Sequence, residues 1–345
     1  MLKGFLFYGV FQCVLCTVYF EERFSDGLAG FESRWIRSSH SEGDLKQGQW
    51  KLSVGKWFGL DTLDAVGLQT GEDSKLYGAV AKLSHPIDGS RDLVIQFQVK
   101  HEQALDCGGG VLKLFPGDIN AAELGGHTPY TVAFGPDICG TDTRHVVLNL
   151  NFSNSVFSLD KQHEWQVEGG GTKREGILAA TDRLSHVYTL VLRTDSSYTI
   201  KIDGRPVAAG TLQADFKPGP HLSGHMQHSS GTSNAQSEAG DGDGGKYSNY
   251  GSLLLQTVQY VGFELWQVRS GSVFDNILVT DEEARAEHLL RNTWGKHREA
   301  EEKAFHRAHV REEAEAARLR AQVDALAAAQ EVEAGHDLQQ QQQQQ

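Results

Sequence analysis

The chain has 345 residues and a formal charge of −13 at neutral pH. That length allows two average domains or one large β-sandwich with appendages. The acidic balance and the lack of a basic stripe interleaved with aromatics exclude nucleic acid as a partner, because such binding rests on Lys and Arg neutralising phosphates. No segment reaches the roughly 20 consecutive apolar residues of a membrane-spanning helix, so no membrane span is expected.

Residues 1–16 carry Lys3 and then a mostly apolar run from Gly4 to Cys16, which reads as a secretory signal peptide. Its removal would take Cys13 and Cys16 and leave Cys107 and Cys139. An oxidising compartment should join such an even pair as a disulfide, which in the chain-entropy model stabilises by about 3 to 4 kcal/mol. Two buried free thiols are the alternative.

Residues 17–216 consist of short alternating runs, among them Leu93 to Val99, His145 to Asn151 and Tyr198 to Ile202, punctuated by Gly, Asp-Gly and Ser-Asp turns. That pattern predicts an all-β, antiparallel sandwich. Asp203-Gly204 is a hairpin turn, since glycine supplies the positive φ that such turns require. Residues 217–251 are rich in Gly, Ser, His and Asn, bury too little to offset ordering entropy, and are expected to be flexible. His221, His225 and His228 within them have no fixed carboxylate partner and read as incidental rather than metal-binding. Residues 252–296 return to strand character in Tyr260 to Val268, complete the sandwich and begin a helix. Helical spacing runs from Asp281 to about Ala334, with Glu299, Lys303, Arg307 and Glu313 as i, i+4 charges and with Leu289, Leu290 and Trp294 as candidates to pack on the sandwich. Residues 297–345 form this charged helix and end in a Gln-rich tail.

Four collinear blocks carry a resemblance. Lys100 to Phe115 contains Cys107-Gly-Gly-Gly-Val111; Thr128 to Gly140 contains Pro136-Asp137-Ile-Cys139; His186 to Arg193 and Gly262 to Asn276 follow. Together, over about residues 18–296, they resemble the lectin domain of the calreticulin family. The resemblance implies a concanavalin-like β-sandwich (jelly roll) with a long C-terminal α-helix. It implies a calcium-binding, lectin-like chaperone of the endoplasmic-reticulum lumen, with unfolded or newly made glycoproteins as clients and monoglucosylated N-glycans as candidate ligands. The family's Pro-rich arm, which recruits a thiol oxidoreductase and a prolyl isomerase, is replaced here by residues 217–251, so those partners are not expected. The tail has neither the family's acidic run nor its retrieval signal, so high-capacity calcium buffering is not expected and secretion is an alternative fate.

The resemblance also names site residues. Lys113, Tyr130, Asp137 and Trp266 match the family's carbohydrate-binding positions, and Glu264 stands where the family has Asp. Val111 replaces a tyrosine and Ala133 a methionine. Loss of the tyrosine's ring and hydroxyl would cost roughly 2 kcal/mol, about thirtyfold in affinity, weakening or removing glycan binding so that clients are bound through polypeptide. Without the resemblance, Tyr130 and Trp266 could equally be sandwich core, and Lys113 and Asp137 could pair with one another. Asp275 matches the single carboxylate ligand of the family's structural calcium, with carbonyl donors near Arg23, Asp64 and Val66; a turn or cap role is its alternative. His186, beside Tyr188 on a strand, reads as structural support. Asn151-Phe-Ser153 is a glycosylation sequon, a short pattern that also arises by chance. No catalysis is expected: Glu42 to Gln47 lacks the third carboxylate of a glycosidase strand, and no Gly-x-Ser-x-Gly elbow appears. A secreted or degenerate lectin-like interaction protein without a chaperone cycle is the competing reading.

Overall fold

Alternation along Leu93–His101 sets the architecture. Leu93, Ile95, Phe97 and Val99 enter the main core, while Val94 joins a separate cluster on the opposite face, as the period of two along a strand requires. The computed structural model describes residues 16–58, 65–103, 106–140, 143–152, 155–159, 163–167, 171–175, 177–218 and 257–343. The signal-peptide residues 1–15 and the three histidines of residues 217–251 lie outside them.

Two antiparallel sheets face each other. The first runs Arg205–Thr211, Ser197–Ile202, Ser185–Leu192, Leu93–His101, Ser272–Thr280, Gly67–Thr70 and Trp50–Ser53, with Val18–Glu22 added along Ser272–Thr280. The second runs Phe216–Pro218, Ser155–Leu159, Thr143–Phe152, Val132–Cys139, Leu112–Pro116, Val258–Gln267, Lys75–Ile87 and Trp35–Arg37, with Cys107–Gly109 against Val132–Cys139. A separate hairpin pairs His163–Val167 with Gly171–Glu175. The late strands Val258–Gln267 and Ser272–Thr280 take inner places in the two sheets, so the sandwich closes only when the chain's C-terminal third arrives.

Phe263 sits at the centre of the core. Its ring lies 4.3 Å from Phe274, 6.3 Å from Trp50, and 6.4 Å from both Trp35 and Phe97. The predicted turn forms: Asp203 and Gly204 have φ of 54° and 75°, the two positive values of a type I′ turn, and Ile202 pairs with Arg205 across it.

The C-terminal part forms two helices, Glu283–Asn292 and Trp294–Gln343, broken at Thr293. Ala286 and Leu289 of the first cover Val94, Val191 and Leu278 on the outer face of the first sheet. Trp294 opens the second, its indole Nε1 donating to the Ser185 carbonyl at 2.7 Å. Beyond Phe305, which meets Trp57 edge to face at 4.9 Å, the helix runs out into solvent. Among the described residues no helix is long and apolar enough to cross a membrane.

Two histidines give the fold a pH signature. Burial disfavours charge on His186, but hydrogen bonds of 2.8 Å to both Asp203 and Asp182, with their charges, outweigh it and lift the pKa to about 9. Burial takes His101 the other way, to about 4, with nearby His186 adding to the effect. The raised pKa of His186 gives stability that is full below about pH 6.5 and lost as pH rises through about 9; the depressed pKa of His101 withdraws stability as pH falls from about 6.5 to 4. Each shift corresponds to about 3 kcal/mol at its limit. Denaturant unfolding across pH should therefore show the pair's summed contribution greatest near pH 6.5. His186→Gln should flatten the alkaline limb and His101→Gln the acid limb; limbs unchanged in both variants would contradict these assignments.

Candidate functional site

The face of the second sheet turned away from the core carries the predicted sugar residues. Core positions on its strands are Leu112 and Leu114, Val132, Phe134 and Ile138, Val146, Leu148 and Leu150, and Val261, Phe263 and Leu265. The intervening side chains point to the open face. Strand register then sets three rows. Gly262, Lys113, Ala133 and Asn149 lie side by side; Glu264 neighbours Gly78; Trp266 neighbours Leu76, and Asp137 stands between Gly109 and His145. Tyr130 packs on this face with Phe115, Val80 and Tyr260.

Glycine makes the close approach of the strands feasible. A Cβ on Gly109 would lie 2.8 Å from the Pro136 carbonyl oxygen, and one on Gly135 2.6 Å from that of Gly110. The disulfide Cys107–Cys139 fixes the same junction, with the two cysteines directly paired in register.

The electrostatics of the face are largely internal. Lys113 forms an ion pair with Glu264, and its ammonium lies 5.1 Å from the centre of the Tyr130 ring. Lys113 therefore pairs with Glu264 rather than with Asp137, the partner considered from sequence. Burial pushes the Tyr130 hydroxyl up from the usual phenol range, against a hydrogen bond with Asn149 that lowers it. Burial likewise raises the Asp137 carboxyl, with the charge of His145 acting in the opposite sense. A polyol entering here must compete with a part-buried, charge-assisted Lys113–Glu264 contact, and Val111 and Ala133 offer it no ring to stack on. Asn149 and His145 escaped the sequence reading, although the alternation of His145 to Asn151 marks both as facing opposite to Val146 and Leu148.

Asp275 lies on the first sheet, where the pairing of Ser272–Thr280 with Leu93–His101 slips between Asp275 and Leu278. Its carboxylate accepts from the Asn276 backbone N–H at 2.7 Å and from Asn276 Nδ2 at 2.9 Å. Asn276 has φ 51°. Register places Glu22 opposite Ile277 and Leu68 opposite Phe274, which brings Arg23 and Val66 to the two flanks of this irregularity. Asp64 lies outside the described residues. Asn276 is buried, and its Oδ1 has no hydrogen-bond partner among the described residues. An orphaned oxygen beside a carboxylate, with backbone from two flanking segments, fits a hard cation such as calcium.

His186 bridges Asp182 and Asp203 through its two ring nitrogens, an arrangement that ties the loop before its strand to the Asp203-Gly204 turn. Asn151 is half-buried at the end of Thr143–Phe152, its N–H donating to the Thr131 carbonyl at 2.9 Å; Ser153 of the sequon is outside the described residues.

Comparison with known proteins adds an independent line. The calreticulin family model matches residues 20–227. Calreticulin-3 of Mus musculus is 32% identical over 92% of this chain and 92% of its own length. Calreticulin of Chlamydomonas reinhardtii is 32% identical over 83% of this chain and 81% of its own. The T. cruzi calreticulin globular domain superposes with a TM-score of 0.67 at 31% identity, covering 85% of this chain and 99% of that domain.

Proposed function

Since this chain belongs to the calreticulin family, we propose that it is a lectin-like chaperone of the endoplasmic-reticulum lumen that holds newly made glycoproteins through their polypeptide, with a weakened glucose subsite. Membership carries the general lectin-like chaperone role, and no catalysis is proposed. The observation behind the weakened subsite is the engagement of Lys113 by both Glu264 and Tyr130 beside Ala133, with Val111 two residues before Lys113 in the chain. Tyr130, Trp266 and Asp137 keep the outline of a carbohydrate site. Its central cation is already satisfied by the protein, however, so sugar hydroxyls gain little by replacing the contact.

Asp275, Asn276 and the backbone near Arg23 and Val66 would hold a calcium ion, which there would supply charge neutralisation and cross-bracing rather than chemistry. The chain's own residues perform the rest: the disulfide and glycines hold the open face in register, and the half-buried Tyr130 and Tyr260, backed by the buried Phe115, offer an apolar surface to an unfolded chain. Calorimetric titration tests the reading. Heat from an unfolded, non-glycosylated polypeptide with little from a glucose-capped mannose oligosaccharide supports it, and the reverse pattern overturns it.

A further inference from the structure

A cavity of ≈ 40 Å³ lies between the outer face of the first sheet and the first turns of the helix Trp294–Gln343. Lys100, Asp275 and Asn276 line it from the sheet; His297, Arg298 and Glu301 line it from the helix. Asp275 and Asn276, whose Oδ1 is orphaned, thus line one small chamber together with the buried Lys100.

That ammonium should weaken a cation at Asp275 unless it is neutralised. Lys100 Nζ lies 3.4 Å from Glu102 and 3.3 Å from Glu301. Glu301 is contributed by the helix and is only 6% exposed. The Ser185 hydroxyl at 2.8 Å and the Ser185 N–H at 3.2 Å fix its carboxylate. Docking of the helix also brings Arg298 to the rim, but Arg298 is exposed and water screens it. Glu102 balances the Lys100 ammonium whether or not the helix is docked, so the second buried carboxylate, Glu301, decides the sign of what docking adds.

We infer that Glu301 is a positioning residue of the metal site: by adding a second buried carboxylate to the Lys100–Glu102 pair it favours a divalent cation at Asp275, and the cation in turn holds the first turns of the C-terminal helix on the sheet. Linkage makes the two effects equal, since whatever the docked helix adds to cation affinity the cation adds to docking. The long exposed helix is then an arm whose attachment responds to calcium. The inference rests on Asp275 being a calcium ligand.

The test uses the full chain, calcium chloride titrated calorimetrically, and amide hydrogen exchange with and without the ion. Glu301→Gln, nearly isosteric, should bind calcium about tenfold more weakly. Glu299→Gln, which loses only an exposed contact to Lys303, should match wild type. In the wild type, calcium should slow exchange across residues 294–305 and leave residues 310–326 unchanged. Equal calcium affinity in wild type and Glu301→Gln, or exchange of residues 294–305 indifferent to calcium, overturns the coupling alone. No calcium binding by the wild type overturns the metal reading with it. Should Glu301→Gln fail to fold, the wild-type exchange experiment decides.

Discussion

Phe263→Ala should lower the free energy of unfolding by about 4 kcal/mol, the size expected when a fully buried aromatic is truncated and its surroundings relax only in part. Phe263 is 0% exposed and lies on an inner strand of the second sheet, with Leu112 on one side and Ala79 on the other. Its ring stacks at 7° on Trp35 and also touches Trp50, Phe97 and Phe274, so it ties both sheets to the N-terminal segment. A cavity there would be bounded by rings held by neighbouring strands, which cannot move inward freely. Leu319→Ala, at a position 55% exposed on the C-terminal helix, should stay within about 0.5 kcal/mol of wild type. Denaturant midpoints for the two variants check the contrast; a Phe263→Ala loss below about 1.5 kcal/mol would contradict the packing role given to this ring.

Asp275→Ala should abolish stabilisation by calcium. An ion that binds only the folded state, supplied at a hundred times its dissociation constant, adds about 2.7 kcal/mol. In the proposed site that gain needs Asp275, at the irregularity in Ser272–Thr280, since the other donors proposed there are neutral oxygens. Unfolding midpoints with calcium and with chelator should differ for the wild type and coincide for the variant. A full calcium response in the variant would place the ion elsewhere.

Much of the fold was legible because alternation is a strong signal wherever one face of a strand is buried. Leu93 to Val99 and His145 to Asn151 announced their core faces, and Asp203-Gly204 announced its turn. The helix break at Thr293 was not legible. Charge spacing continues across it, and what interrupts the helix is tertiary: the Trp294 indole reaches a strand carbonyl at Ser185, more than a hundred residues away in sequence.

The site divides in the same way. The positions of Lys113, Tyr130, Asp137, Glu264 and Trp266 on one face follow from residue types and a family resemblance. Which carboxylate takes Lys113 does not. Gly262 lies directly opposite Lys113, so Glu264, one position along that face, reaches the ammonium, whereas Asp137 lies on another strand and in another row. Asn149 shows a related gap, because its meaning depends on Tyr130, which approaches from a loop that no periodicity describes. Nothing in the sequence marks Glu301 or Lys100, because the buried contact between them exists only where the helix meets the sheet.

The most direct test of the central claim is calorimetric titration of the full, calcium-loaded chain with a glucose-capped mannose oligosaccharide, the same sugar lacking glucose, and an unfolded non-glycosylated polypeptide. The account predicts heat from the polypeptide and at most weak, unselective heat from both sugars, with Val111→Tyr combined with Ala133→Met strengthening the glucose-capped one. Tight binding of the glucose-capped sugar by the wild type, with none of the polypeptide, would contradict it and make the open face a working glucose lectin.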